Sequence, residues 1–526
     1  MVVKYELFNK RSWIIALIFI VLVGLFVQYP YMNEFPSFIH AWSQSDRYAI
    51  SLGFVNNDLD LFYPETFIYN KQFPHGWNYA FDNTITSVDF PILEYVVAVI
   101  MKITGNTSPW IFRTCTMLVA LLGMFFLYKL AFLLTKDWIK SLLVTAVAMT
   151  SPVYAYYFNG FIPGIPALTF AIIASFFYIK YLNEENIRFF AVTIIFMTLS
   201  VLVRSSFAVF YVAILCFEIL RILRKETKCF NKFIYVLLSF FVILAYYLWN
   251  KHLAAENGTL FLGKLLPANN WADFWDRMGD AINNWKYHYF AKIHYCLFAV
   301  TIVFSIIYVV YKKIKNKDDV KVERDNKKIS LWIFLVITLF GYILFTIAMA
   351  KQFEYHDYYF IDTYFLPFLL LFVLIIKGLP KNENCKYGIF SFVVTFFFIV
   401  IMLRDVDEIQ AQRRKRYHGK NSERTISNYS GSDKFLDSVG VAKDAKILSL
   451  YSYPQNTPFI LMNRKGFTKM NDKINNELSF DYDFVIVETE IYEQKKEENR
   501  DLFSALRYFA DNGRLILFVE NEDFCE

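Results

Sequence analysis

Ionisable side chains stand at a few points where long apolar runs begin or end. The first group is His40-Ala41-Trp42-Ser43-Gln44-Ser45-Asp46-Arg47. Arg47 could keep the neighbouring Asp46 carboxylate ionised, and the bland alternative is a capping or interface Asp. The second is Ser87-Val88-Asp89-Phe90-Pro91, where Asp89 either opens a helix with Pro91 in its first turn or serves a site. The third is Arg204 in LSVLVRSSF. An Arg at mid-bilayer costs ~2.5–3.5 kcal/mol on insertion scales, so it is expected at a boundary, snorkelling, binding an anion, or both. The fourth is Gly263-Lys264-Leu265-Leu266-Pro267, where Lys264 could meet a phosphate. It is followed by an aromatic-rich stretch, Trp271 to Tyr289, that reads as an interfacial helix. The fifth is Glu354-Tyr355-His356-Asp357-Tyr358-Tyr359. Here His356 with Asp357 could hydrogen-bond a phosphate or ligate a metal, although two residues fall short of a metal site's ligand count. The chemistry open to such a set is proton removal by a carboxylate beside cations that hold an anion.

The elements that position these residues are membrane helices. The 526 residues are 56% hydrophobic and 19% charged, against ~45–50% and ~25% in soluble domains. Apolar runs lie near 13–27, 112–134, 141–157, 162–181, 189–203, 205–222, 233–249, 291–311, 330–350, 359–377 and 387–403, about eleven spans near the length that crosses a bilayer. Only Arg204 separates the fifth from the sixth. The segment 91–104 is short and reads as interfacial. The run after Lys4, Lys10 and Arg11 is too long for a signal-peptide core and is expected to be a retained span.

Basic clusters at Lys136/Lys140, Arg221–Lys228, Lys312–Lys328 and Lys377–Lys386 all fall in the cytoplasm if the N-terminus does. The five polar groups then share the external side, as does the C-terminal tail. The net charge of +6 is accounted for by these loops and gives no reason to expect nucleic acid. The six cysteines include no C-x-x-C pair, which argues against a disulfide framework or zinc site. The loop 30–90 is long and rich in Trp, Tyr, Phe and Pro, so a folded cap with short interfacial helices is expected. Residues 405–425 are charged and read as a linker or surface helix whose Arg/Lys cluster could contact phospholipid. In 426–526, Lys446–Tyr451, Phe484–Val487 and Leu515–Val519 read as buried strands, with helices near 431–439, 468–478 and 489–511. That pattern predicts a small α/β domain with a partly parallel sheet, and its bland reading is an accessory domain.

The series His40-x-Trp42-x-Gln44-x-Asp46, Phe62-Tyr63-Pro64, Asp89-Phe90-Pro91, Phe161-Ile162-Pro163-Gly164-Ile165-Pro166, Leu202-Val203-Arg204 and His356-Asp357-Tyr358-Tyr359 resembles the GT-C superfamily. It is most similar to bacterial members of glycosyltransferase family 39, which include protein O-mannosyltransferases and aminoarabinose–lipid A transferases. The likeness covers roughly residues 10–405. It implies a polytopic α-helical membrane domain (1–404), with the catalytic residue in the first external loop, followed by the external α/β domain. It also implies inverting transfer of a sugar from a polyprenyl-phosphate donor to an envelope lipid, glycan or protein. Asp46 falls on the family's catalytic carboxylate. Asp89 and Arg204 fall where relatives carry an acidic residue before Phe-Pro and a Lys or Arg. Relatives often have an acidic residue between the two prolines of the Pro163–Pro166 turn, and Gly164 stands there instead.

On this reading Asp46 is the base, and His40, Gln44, Arg47, Asp89, Arg204, Lys264, His356, Tyr358 and Tyr359 bind substrate or phosphate. No cofactor is required, but a divalent metal is conceivable at Asp89 and His356. The expected place is the cytoplasmic (inner) membrane, with the site and tail facing outward. Competing readings are a transporter or flippase of lipid-linked sugars, a polymerase or ligase of lipid-linked oligosaccharides, and a non-catalytic scaffold. The absence of an internal repeat and the clustering of charges at one edge weigh against a transporter.

Overall fold

The computed structural model describes residues 2–70, 83–227, 231–261, 263–315, 330–380, 385–417, 421–470 and 480–521. Cys229, Cys525, Lys228, Lys381 and the Lys317–Lys328 part of one basic cluster lie outside them. Every expected apolar run coincides with a helix: Val2–Gln28, Pro109–Thr135, Trp138–Met149 continued by Pro152–Tyr157, Gly164–Glu184, Ile187–Val203, Ala208–Leu223, Lys232–Asn257, Lys292–Lys315, Leu331–Ala348, Tyr359–Asp362 with Phe365–Lys377, and Cys385–Tyr417. Among the described residues, eight helices are long and apolar enough to cross a membrane. Three shorter apolar ones, Trp138–Met149, Ile187–Val203 and Phe365–Lys377, complete the set. The closely spaced fifth and sixth runs are indeed two helices. Arg204 between them is extended at φ −151, and a 3-10 turn follows at Ser205–Phe207.

The burial pattern suits a bundle in lipid. Ile234, Leu237, Leu238, Phe240, Phe241 and Val242 of Lys232–Asn257 are all exposed, an apolar face that an aqueous solvent would penalise. The helices Gly164–Glu184 and Pro109–Thr135 are more deeply buried and form the centre of the packing.

The first loop is folded. Helix Ala41–Asn56 packs on Ile92–Thr104 through Tyr48, Ala49, Leu52, Leu93, Val97 and Met101. Asp46 lies in the second turn of its helix, whose N-cap is His40, so the capping reading of Asp46 falls. Pro91, not Asp89, is the N-cap of Ile92–Thr104 and makes no side-chain cap bond, so Asp89 does not open that helix. The aromatic helix expected at Trp271–Tyr289 has those bounds.

The tail carries a five-stranded mixed sheet: β1 Ile447–Leu450, β2 Gly466–Lys469, β3 Phe484–Glu488, β4 Leu506–Asp511 and β5 Leu515–Glu520, in the order β2-β1-β3-β5-β4. β1 runs parallel to β2 and β3, and β5 antiparallel to β3 and β4. The three expected strands are present, and β2 and β4 are additions. β2 occupies the start of the segment expected as helix 468–478, of which 471–478 lies outside the described residues. The expected helix 489–511 stops early, as Thr489–Glu498 and Arg500–Ser504, and β4 takes its end. β4 pairs along an edge, where tertiary hydrogen bonds outweigh local preference.

Two features tie the tail to the membrane bundle. The charged segment after Arg404 continues the helix Cys385–Tyr417 instead of forming a linker or surface helix, and it buries Gln410, Arg413 and Arg414. Residues 67–69 of the first loop lie along β2: Gly466 N–H donates to Phe67 O at 3.1 Å, Tyr69 N–H donates to Gly466 O at 3.0 Å, and Lys465 pairs with Glu65 at 2.7 Å.

Candidate active site

The turn before helix Ala41–Asn56 is strained. Phe38 and His40 both have positive φ, 62 and 54, a conformation that non-glycine residues hold only when surroundings enforce it. The enforcers are Tyr156, whose hydroxyl accepts from Ile39 N–H at 3.0 Å, and Gln44, whose amide donates to Ile39 O at 2.8 Å. Gln44 therefore holds the turn. The turn aims His40 at the segment 356–358. There the His40 Nε2 lies 3.2 Å from Asp357 Oδ1, and its ring stacks on His356 at 5.0 Å and meets Tyr358 edge-on at 5.1 Å.

Asp46 faces the C-terminal domain. Asn456 Nδ2 donates to its Oδ1 at 2.8 Å, while Asn456 Oδ1 accepts from Phe67 N–H at 3.1 Å. Asp46 is buried. Burial pushes its carboxyl up to about 7, against the opposing pull of Asn456, Gln455, Arg47 and Trp42. Arg47 thus does not keep Asp46 strongly ionised, because it turns the other way. Its guanidinium reaches Glu94 at 3.2 Å and Asp89 at 3.4 Å and lies over Phe261 at 4.8 Å.

Asp89 joins this helix to the break at Arg204. Arg204 lies 3.7 Å from Asp89, and its Nε donates to Asp362 Oδ2 at 2.6 Å. It faces the rings of Tyr358 and Tyr359 at 5.6 and 5.3 Å. Arg204 is held among carboxylates and phenols rather than snorkelling to solvent. Asp362 is fully buried, and its Oδ1 lacks a hydrogen-bond partner. That oxygen lies over Gly164, where an added β-carbon would collide with it. The carboxylate missing from position 164 is replaced in space by one from position 362.

Asp357 anchors a second buried network. Arg413 donates to its Oδ2 at 2.5 Å and Tyr157 to its Oδ1 at 2.8 Å. Burial opposes its charge, but Arg413 and His40 outweigh that and hold its carboxyl well below the usual range. Burial, with His40 adding to it, lowers His356 to about 4, so His356 is neutral near pH 7. Arg414 pairs with Glu34 at 3.0 Å. These arginines belong to protein ion pairs, which leaves the suggested phospholipid contact without support at Arg413 and Arg414.

His40, Asp89, Arg204, His356, Tyr358 and Tyr359 are therefore brought together, and Arg47 joins them through Asp89. Lys264 is not. It is exposed, and among the described residues nothing pairs with it. Asp89 pairs with arginines while His356 stacks on His40, so the two do not form a ligand set. No group of three His, Cys, Asp or Glu that could hold a metal occurs among the described residues.

Sequence reasoning missed Asp362, Arg413, Gln455 and Asn456. Asp362 had a usable signal, since a carboxylate inside an apolar run is costly and so marks function. The two amides of the tail had none.

Residues 89–249 match the family model described as dolichyl-phosphate-mannose-protein mannosyltransferase. No curated protein matches the sequence. Among solved structures, the chain is similar to ArnT from Cupriavidus metallidurans bound to undecaprenyl phosphate, at TM-score 0.55 and 10% identity over 96% of this chain and 98% of that one. It is also similar to the arabinofuranosyltransferase AftD from Mycobacteria, at TM-score 0.54 and 11% identity, over 97% of this chain but 40% of AftD. The family match and the shared fold identify the chain as a membrane glycosyltransferase of the GT-C superfamily.

Proposed function

We propose that the protein transfers a sugar from a polyprenyl-phosphate donor to an acceptor hydroxyl at the outer face of the cytoplasmic membrane, with Asp46 as the base. The observation that carries this reading is Asp46 itself: a buried carboxylate raised to about 7, one helical residue from the Arg47–Asp89–Arg204 chain of charges. A base with that affinity for protons is matched to neutral pH.

The acceptor oxygen attacks the anomeric carbon as its proton passes to Asp46, and the bond from that carbon to the phosphate oxygen breaks. Polyprenyl phosphate leaves with one more negative charge, and the anomeric configuration inverts. Such a leaving group needs no general acid, so one carboxylate suffices where most glycosidases use two. The growing charge is assigned to Arg204, with the Tyr358 and Tyr359 hydroxyls beside it. Arg47 and Asp362 orient Arg204 and Asp89. His40 and His356 pack the wall of the site. The chemistry is assigned to side chains alone, with no step through a metal.

The test is transfer from a panel of radiolabelled polyprenyl-phosphate sugars to an envelope extract by the purified protein. Wild type should label an acceptor, and Asp46→Asn should reduce that by about 10²–10⁴-fold. Equal activity in the two would remove Asp46 from the chemistry, and no labelling from any donor would overturn the transferase reading.

A further inference from the structure

The C-terminal domain does more than shield the base. Its segment Tyr453–Asn456 reaches the Asp46 carboxylate: Asn456 donates to it, the Gln455 amide faces it, and Tyr453 meets Trp42 edge-on at 6.1 Å. Gln455 is 1% exposed, yet neither its amide nitrogen nor its amide oxygen has a hydrogen-bond partner. Buried side-chain polar atoms are rarely left bare. Desolvating two at once costs more than an apolar residue of the same shape would, and the neighbouring Asn456 shows that a satisfied amide fits the same loop. Gln455 thus carries an unfilled donor and an unfilled acceptor beside the base.

Resting on the transferase reading above, we propose that Gln455 binds the acceptor, and that the acceptor is a carbohydrate. The hydroxyl that loses its proton to Asp46 must keep its lone pair free for attack, so Gln455 bonds a second hydroxyl on the same molecule. The amide both donates and accepts, which fits a neighbouring sugar hydroxyl and not the isolated hydroxyl of a Ser or Thr side chain. The acceptor side is also the geometrically distinct one. Asp46 faces the C-terminal domain, whereas Arg47 next to it faces Asp89 and, through it, Arg204, where the donor phosphate is assigned. The C-terminal domain is in this view a specificity element that supplies half of the acceptor site.

The experiment compares wild type with Gln455→Leu in full-length protein. It uses the same radiolabelled donors and envelope extract, well above the Asp46 midpoint so that both proteins have an ionised base. The amount of extract giving half-maximal transfer should rise about 3–10-fold, the loss of one or two hydrogen bonds, while the donor concentration for half-saturation and the maximal rate stay within about twofold. The label should enter a protease-resistant, saccharide-bearing fraction. Leu removes the bare amide, so the variant should unfold at the same or a higher temperature. Unchanged half-saturation by extract, a shift in the donor's half-saturation instead, or label in protein hydroxyls would each overturn the inference while leaving the transferase reading standing. A lower unfolding temperature with loss of maximal rate would mark Gln455 as structural and also overturn it. No transfer by wild type would overturn the transferase reading and this inference together.

Discussion

The Oδ1 atom of Asp362 occupies the space that a side chain at Gly164 would need. Two segments about 200 residues apart thereby share one position, and only one of them can carry a side chain there. The carboxylate comes from the short helix Tyr359–Asp362 and pairs with Arg204. The Pro163–Pro166 turn supplies the opening. A missing acidic residue in that turn is therefore a change of supplier, not the loss of a charge beside Arg204.

This relationship predicts coupling. Gly164→Ala should displace Asp362, weaken its bond to Arg204 and destabilise the protein by about 1–3 kcal/mol, as overpacking does. In an Asp362→Ala background the same substitution should cost clearly less. A double-mutant cycle on thermal unfolding checks it, and additive effects would contradict the shared position.

The raised carboxyl of Asp46 sets a pH dependence. As a base it must be ionised, so kcat/KM should climb with pH and level off above about 7. Asn456 donates to the carboxylate and favours its charged form, so Asn456→Leu should move that midpoint upward. A pH–rate profile of the two proteins decides it.

Stability should run the opposite way. A carboxyl raised from 3.8 to about 7 on folding binds its proton more tightly in the folded chain. Its contribution is fully present below about pH 4 and is lost as pH rises towards 7. Asp46→Asn should flatten this part of the stability profile, as followed by unfolding temperature across that range.

Removing Arg413 should be costly. Asp357 is fully buried, and Arg413 is its guanidinium partner. Arg413→Gln should destabilise by about 3–5 kcal/mol, because a buried charge loses its counter-ion. Arg413→Gln with Asp357→Asn should recover much of that. Unfolding of the single and double variants measures it.

Lys264 provides the contrast. It is exposed and unpaired among the described residues, so Lys264→Ala should change stability by less than about 0.5 kcal/mol. Transfer should fall less than about twofold, against the much larger loss expected for Arg204→Ala in the same assay.

Hydropathy and charge in the sequence determined the membrane class, the helical runs and the break at Arg204, because lipid forces each backbone span to satisfy its own hydrogen bonds and that requirement is written locally. Asp46 was legible from its place after the first span. So were Asp89, Arg204, His356, Tyr358 and Tyr359 as one polar set, and the helix Trp271–Tyr289 from its aromatic content. Tertiary structure alone decided which way each charge turns. Adjacent helical residues point about 100° apart, so Asp46 meets Asn456 while Arg47 meets Asp89, and a sequence reading of the pair gives the wrong sign for their interaction. Tertiary structure also decided that β2 and β4 are strands, that the charged run after Arg404 is buried helix, and that Asp362 fills the place left by Gly164. Each of these depends on hydrogen bonds or close contacts between segments far apart in the chain, and no local pattern encodes such a contact.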